Sequence, residues 1–529
     1  MVDETGVAVD LSRPRRIHLV GVGGAGISAI AVILARLGHV VTGTDVVVTG
    51  AWPALNAAGV GVEAVGEADL FTTTEAMAAD LVAHSTAFRP APETVAELAA
   101  AGALVLDRAG ILAGICALRP TVAVSGTHGK TSTTAMLATL LDEAGADPSF
   151  LVGAQPVTLD AAARWGGEAG LFVVEADESD GSFERLGAHT AVVTNVEEDH
   201  LDFWGSIEAI EAGFDRFLAQ ATVGVVCIDN PDGSGRADPR AVELAARHDA
   251  VTVGECAGAD WRIHSVQVER LTTSFGLTHG GIEVGPVEIG TPGRHHARNA
   301  AVAVAVAATH GIPVERAVAA VGRYRGVARR FEVVGEVDGI TVVDDYAHNP
   351  GKIRALLASA QEAGWDRVVA VFQPHRYSRT EALGVEQGAA VAMADVVAVT
   401  DVYGAGETAV AGVTGLTVAH AALEARPGVT VGWTPGLDDA LAWLRTTVRS
   451  GDLVLTIGAG DVHLLGPRLL TVLASPSPAP STPDISGIGR GEVAGEGAVD
   501  TVDGNVDGDV GGNADGDVDD VVEPGDQGA

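Results

Sequence analysis

Lysine is almost missing from this 529-residue chain: it occurs twice, at Lys130 and Lys352, beside 31 arginines. Wherever a cation merely solvates the surface, the chain has used arginine. Cysteine is scarce too. Cys116, Cys227 and Cys256 are odd in number and far apart, which excludes a metal-ligand cysteine spacing and points to reduced thiols. Although 47% of the residues are apolar, no uninterrupted apolar run approaches the roughly 20 residues of a membrane span. The opening MVDETG has neither the basic nor the apolar region of a secretory signal. A cytoplasmic protein without membrane insertion is the expectation. Positive charge is in deficit: a formal charge of -37 argues against nucleic-acid binding, which needs a basic footprint. From Ser475 onward 13 acidic residues face one arginine, in a Pro- and then Asp/Gly-rich stretch too poor in large apolar residues to form a core. Its Asp-Gly repeats lack the distal Glu of an EF-hand loop, so residues 475–529 are expected to be a disordered acidic tail.

A chain this long should hold several domains, since single cores seldom grow past about 250 to 300 residues. Residues 15 to 120 alternate apolar strands (RRIHLV, HVVTGT, DLVAHST, ALVLD) with helical stretches, which implies a parallel sheet with helices on both faces. The pattern restarts at Pro120 with TVAVSG, a helix from Lys130 to Ala144, and the strands LFVVEAD, HTAVVTNV and VGVVCID. Antiparallel structure is expected between about 260 and 290, and helices at Arg298 to His310 and Val314 to Tyr324. A third set (ITVVDD, RVVAVFQ, DVVAVTD, DLVLTIG) begins near Arg330. The expected class is α/β in three domains, 1–120, 121–326 and 327–474, followed by the tail.

Three stretches carry chemistry. In RRIHLVGVGGAG, Gly21, Gly23 and Gly26 have the spacing of a dinucleotide-binding turn between a strand at Ile17 to Val22 and a helix at Ile27 to Leu37, and the next strand ends in Asp45. That fingerprint describes a phosphate-cradling turn and not a reaction. VAVSGTHGKTSTTAML sets Gly126, Gly129, Lys130 and Thr131 between a strand and a helix, as a nucleotide loop shortened to G-x-x-G-K-T because Val124 replaces the first glycine. FVVEADESDGSF offers Glu175, Asp177, Glu178 and Asp180 after an apolar run, and TNVEEDHLDFWG offers Asp199, His200 and Asp202 after the next. Hard oxygens suit Mg²⁺, and a neutral imidazole can complete a second site. In the third set, VDDYAHNP and VFQPHRYSRT follow strands directly, and His375, Arg376, Tyr377 and Arg379 form a cationic, aromatic corner suited to a carboxylate.

In this order GVGGAG, GTHGKTSTT, EADESD, TNVEEDHLD, PGRHHARNA, RRFE, DDYAHNP and FQPHRYSRT resemble the Mur ligases, over about residues 15 to 470. The resemblance implies a Rossmann-like N-terminal domain holding a UDP-sugar, a central P-loop ATPase domain and a Rossmann-like C-terminal domain receiving an amino acid. It assigns the opening glycine turn to a UDP diphosphate instead of NAD. The activity it implies is ATP-dependent joining of L-alanine to the carboxylate of UDP-N-acetylmuramate through an acyl phosphate. ATP and Mg²⁺ are then the cofactors, and the protein is a monomer or weak homodimer.

By motif, the resemblance places Gly126, Thr127, His128, Gly129, Lys130, Thr131 and Ser132 on the nucleotide phosphates, with Thr131 and Glu175 on one Mg²⁺ and His200 on the second. Asn299 meets the adenine, Arg330 lies near the phosphates and Asp345 near the ribose. Gly21, Gly23, Gly24, Gly26, Asp45 and Ser85 form the sugar-nucleotide end, and His348, His375, Arg376, Tyr377 and Arg379 the alanine end. The family commonly has Asn where His296 stands and His where Asn349 stands. A recycling ligase that adds a preformed peptide to the same sugar shares most of these motifs. A non-catalytic UDP-sugar sensor is opposed by the retention of Lys130, Glu175 and His200.

Overall fold

The computed structural model describes residues 9–475, apart from 169 and 231–233 and the side chain of Asp202. Beyond its first residue, the expected tail lies outside the described residues. Three sheets follow one another along the chain. The first is parallel throughout, in the spatial order Gly61–Ala64, Val40–Asp45, Arg16–Val20, Leu81–His84, Leu104–Asp107. Its order reverses between Arg16–Val20 and Leu81–His84, the point at which open α/β sheets leave a crevice beyond their carboxyl ends. Gly21 and Ser85, the residues that follow these two strands, come together there, with the Ser85 amide donating to the Val20 carbonyl at 2.9 Å.

In the second sheet the strand Thr121–Ser125 lies between Thr190–Val193 and Phe172–Glu175, all parallel. The nucleotide-type loop after Ser125 is therefore flanked by both acidic loops. Helix Lys130–Glu143 covers this sheet and packs in turn on helix Arg294–Thr309. Every residue from Thr133 to Leu141 and from His296 to Ala307 is buried, which explains why these helices show no single apolar stripe. The antiparallel part is present as Trp261–Glu269, Thr272–His279 and Ile282–Ile289. The second of these helices starts at Arg294, four residues before the expected Arg298, because Gly293 at φ 120° turns the chain into it. The first strand likewise ends at Val20, two residues early, because Gly21 at φ 77° begins the turn.

The third sheet runs Glu332–Val337, Ile340–Asp345, Asp452–Ile457, Arg367–Phe372, Val396–Val399, Thr430–Trp433, with only the first strand antiparallel. Its carboxyl edge carries the loops that start at Tyr346 and Gln373. Among the described residues no helix is long and apolar enough to cross a membrane.

At the other end of this sheet the Asp452 carboxylate is fully buried and takes two bonds from the Arg367 guanidinium, at 3.0 and 2.6 Å, and one from the Arg449 amide. Removing one partner of such a pair leaves the other desolvated and uncompensated. Asp452→Ala is expected to destabilise the fold by about 3 kcal/mol, read as a lower urea midpoint of the transition that reports the C-terminal domain.

Candidate active site

The first glycine turn is tied by its own acid. Asp45 accepts the Gly23 amide at 2.8 Å, and Thr49 donates to the Gly23 carbonyl. A Cβ on Gly23 would lie 2.7 Å from Thr49 and 3.0 Å from Asp45, and one on Gly21 2.8 Å from Ser85. These glycines are required by the turn's own packing before any ligand is considered. Gly24, with only the Gly21 carbonyl near it, leads into helix Ala25–Arg36, whose N-terminus has no side-chain cap and so presents amide groups to an anion. Asp45, expected at the sugar-nucleotide end, holds the turn and the Val46 amide. Gly26 faces the Arg108 guanidinium, which also lies 3.6 Å from Asp180 in the first acidic loop. Arg108, unremarked in the sequence, thus bridges the turn and the central domain.

The nucleotide-type loop is built on positive φ at Gly126 (126°) and Gly129 (85°), after which helix Lys130–Glu143 starts without a side-chain cap. The loop is held from behind by the end of the strand Thr190–Val193. Thr194 donates to the carbonyls of Ser125 and His128, the Asn195 side chain bonds both backbone groups of His128, and Thr127 exchanges bonds with the Glu197 backbone. His128 itself stands 3.2 Å from Glu197, its basicity lowered chiefly by burial. Lys130 folds back over the loop, bonding the carbonyls of Gly126 and Thr127 and lying 2.6 Å from Glu178 and 4.0 Å from Asp177. Burial pushes the Glu178 carboxyl up, against the pull of Lys130.

The structure brings Thr131 and Glu175 together: the hydroxyl donates to Oε1 at 2.8 Å, while Oε2 accepts the Gly153 amide. His200 adopts φ 50° and begins helix Leu201–Trp204, but its ring does not cap that helix; it is half-exposed, 3.8 Å from Asp199. Among the described residues no three His, Cys, Asp or Glu side chains converge into a metal cage. The side chain of Asp202 lies outside the described set. A Thr–Glu pair without a cage suits Mg²⁺, which keeps several waters and takes one or two protein ligands plus phosphates. Ser132, next to Thr131 in the first turn of the helix, is half-buried.

Asn299 reaches the loop from helix Arg294–Thr309. Its side chain lies against Gly129, and its buried Nδ2 has no partner among the described residues, which leaves an orphan donor beside the loop. The glycine cradle, the uncapped helix and this donor together fit a nucleoside triphosphate. His296 and Asn349, the two departures from the family pattern, have local tasks. His296 Nδ1 bonds the Pro292 carbonyl, and burial pushes the ring down to about 4, so it is neutral. Asn349 caps helix Pro350–Glu362 by accepting from Gly351.

At the third sheet's edge, Arg330 lies over the Tyr346 ring at 5.5 Å. Asp345, expected near the ribose, is buried and already accepts the amides of Phe331 and Ala347. His348, His375 and Tyr403 line one corner: the imidazoles are 6.1 Å apart, and His375 stacks on Tyr403 at 5.7 Å. Burial pushes His348 down to about 4, and burial with Arg379 lowers His375, so both rings are neutral near pH 7. Arg379 bonds His375 at 3.3 Å, and burial and Arg376 both lower its basicity. Tyr377 begins helix Tyr377–Val391, beside Gly404. Two guanidiniums held close together, with neutral imidazoles around them, make a corner for a carboxylate.

The models that match the chain are the Mur ligase family catalytic domain over residues 16–119, the Mur ligase middle domain over 124–307 and the Mur ligase glutamate ligase domain over 329–460. The chain belongs to the Mur ligase family. This Mur ligase is 41% identical to a UDP-N-acetylmuramate–L-alanine ligase of Kineococcus radiotolerans, over 90% of this chain and 100% of the relative. It is 38% identical to a ligase of the same name from Pelotomaculum thermopropionicum, over 87% and 98%. Among solved structures it is similar to the UDP-N-acetylmuramate–alanine ligase of Thermotoga maritima, at TM-score 0.69 and 25% identity, covering 87% of this chain and 99% of that one. It is also similar to a murein peptide ligase of Psychrobacter arcticus, at TM-score 0.58 and 25% identity, covering 86% and 98%.

A Cβ on Gly126 would enter the Thr194 hydroxyl and lie 2.8 Å from the Thr194 backbone nitrogen, at a φ that L residues rarely adopt. Gly126→Ala in this Mur ligase is therefore expected to abolish Mg-ATP binding measured by calorimetry while leaving UDP-sugar binding, in another domain, within about twofold.

Proposed function

We infer that this chain joins L-alanine to the muramoyl carboxylate of UDP-N-acetylmuramate, with ATP giving ADP and phosphate. The observation that carries the reading is the 41% identity, over nine-tenths of the chain, to a relative named for that reaction. The site supports it. The uncapped helix after Gly24, with the Gly21–Gly26 turn, Ser85 and the Asp45 that fixes the turn, takes the UDP diphosphate. The loop from Gly126 to Ser132 takes the ATP phosphates, with Lys130 on the β and γ groups, Asn299 on the adenine and Arg330 near the phosphates. Asp345 acts at the ribose end by fixing the backbone of Phe331 and Ala347. Thr131 and Glu175 would hold one Mg²⁺ and His200 the second; the metal neutralises phosphate charge when bound.

The chemistry divides into two displacements. A muramoyl carboxylate oxygen attacks the γ-phosphorus and ADP leaves. The amine of alanine, its ammonium proton lost to solvent, then attacks the acyl carbon; the bond from that carbon to the phosphate-bearing oxygen breaks, the oxygen departs with the phosphate, and the surplus amine proton passes to that phosphate. This chain's part is positioning and charge: Lys130 and Arg330 face the charge that develops on the transferring group, and Arg376 and Arg379 grip the alanine carboxylate. His348, His375 and Tyr377 shape a ring-lined corner suited to a small amino acid. A cytoplasmic monomer or weak homodimer is the setting proposed with this activity.

A second reading has one observation behind it, the likeness to a murein peptide ligase, which would attach a preformed peptide to the same sugar. Supplying L-alanine and a free tripeptide with N-terminal L-alanine separately decides between them. Alanine should release ADP in the presence of UDP-N-acetylmuramate and Mg-ATP, and Lys130→Ala should abolish that release while leaving UDP-N-acetylmuramate binding nearly intact. ADP release with the tripeptide alone would replace this reading by the recycling one.

A further inference from the structure

Arg108 has no part in the roles above, yet the fold places it with care. It is the first residue of helix Arg108–Cys116, and every later residue of that helix is buried, so Arg108 alone reaches out of it. The backbone it departs from is fixed by its neighbour. Asp107 caps the helix through the Gly110 amide and takes two bonds from the Arg185 guanidinium of the central domain, at 2.6 and 3.0 Å.

The Arg108 guanidinium lies at the start of another helix, Ala25–Arg36. A Cβ on Gly26 would meet its Nη1 at 3.4 Å and its Cδ at 3.5 Å. That helix has no side-chain cap and no acidic residue in its first turn, and the amides of Ala25, Gly26 and Ile27 have no acceptor among the described residues. A cation beside the positive end of a helix is unfavourable by itself and becomes favourable with an anion between the two. The carboxylates nearby do not fill that place. Asp180 is the one ion-pair partner of Arg108 among the described residues, at 3.6 Å and without a hydrogen bond, and Asp177 accepts the Ser179 amide and lies 4.0 Å from Lys130. Arg108 therefore keeps its donors unused among the described residues.

Gly26 adds a second observation. Gly21 and Gly23 are demanded by the turn, because a Cβ on either would come within 3.0 Å of Ser85 or Thr49. Gly26 is under no such demand: its backbone angles are ordinary, and a Cβ would make only van der Waals contact with Arg108. A glycine weakens a helix start, so its retention here keeps open the gap between the helix amides and the guanidinium.

We propose that Arg108 grips the diphosphate of the UDP-sugar from the side opposite the amides of helix Ala25–Arg36. The proposal rests on the sugar-nucleotide reading of the Gly21–Gly26 turn. Because Arg108 also meets Asp180, in the loop that follows Glu175, this is the side of the turn from which the sugar must pass towards the phosphoryl-transfer centre. A planar guanidinium suits the task, since it can hold two phosphate oxygens at once.

The test uses the full-length protein with UDP-N-acetylmuramate, UDP and Mg-ATP as separate calorimetric probes. Arg108→Met should weaken UDP-N-acetylmuramate and UDP by the same factor, about tenfold, and leave Mg-ATP within about twofold. In turnover the KM for UDP-N-acetylmuramate should rise about tenfold with kcat within about threefold, and Arg108→Lys should restore part of the loss. Unchanged UDP binding in the Met variant overturns the proposal, and a loss confined to UDP-N-acetylmuramate does so too, because it puts the guanidinium on the muramoyl carboxylate. If Arg108→Met loses Mg-ATP as well, Arg108→Lys decides: recovery of Mg-ATP binding with UDP binding between that of the Met variant and the wild type supports the contact, and loss of both rejects it in favour of a role in holding the two domains together. Wild-type protein that binds neither UDP nor UDP-N-acetylmuramate would instead overturn the sugar-nucleotide reading itself.

Discussion

The Lys130 ammonium governs the architecture of the site. It bonds two carbonyls of its own loop and lies 2.6 Å from a carboxylate, Glu178, whose basicity burial raises. A phosphate chain on this loop competes with Glu178 for the same charge. The loop must therefore hold its shape through the exchange, and the Thr194, Asn195 and Glu197 bonds behind it serve that end. The sheet order makes those bonds available, since the strand that precedes the loop lies between the two strands whose ends supply Glu175–Asp180 and Thr194–His200. In a chain of formal charge -37, the proposed reaction centre draws on a few cations, Lys130 and Arg330 for the phosphates and Arg376 and Arg379 for the alanine carboxylate.

The same economy of means appears at the first domain. Its glycine turn has the spacing of a dinucleotide site, yet Asp45, the acid expected at the sugar-nucleotide end, binds the turn's own amide. Arg108 links that turn to the acidic loop of the central domain, so the first glycine turn and the loop that carries Asp180 share a charged contact.

Much of the fold was legible because buried parallel strands read as short apolar runs and their glycine turns demand special backbone angles. Short strands escaped. Gly61–Ala64, Val251–Gly254 and Thr430–Trp433 have four residues each and are largely exposed or half-buried on at least one side, so neither an apolar run nor an alternation marks them. At the site, Gly126, Gly129, Lys130 and Thr131 were legible from local spacing alone. The Lys130–Glu178 pair was not, because it depends on two loops nearly fifty residues apart meeting across neighbouring strands. Nor was the engagement of Asp45 and Asp345 with backbone amides, since a sequence shows that an acid ends a strand and not which amide it finds. Lysine rarity marked Lys130.

The account stands on direct transfer of phosphate to the muramoyl carboxylate. UDP-N-acetylmuramate labelled with ¹⁸O in that carboxylate, turned over with ATP and L-alanine, tests this by mass spectrometry of the released phosphate. The account predicts one carboxylate oxygen in each phosphate formed. Phosphate free of the label, alongside alanine ligated to the sugar, would contradict it.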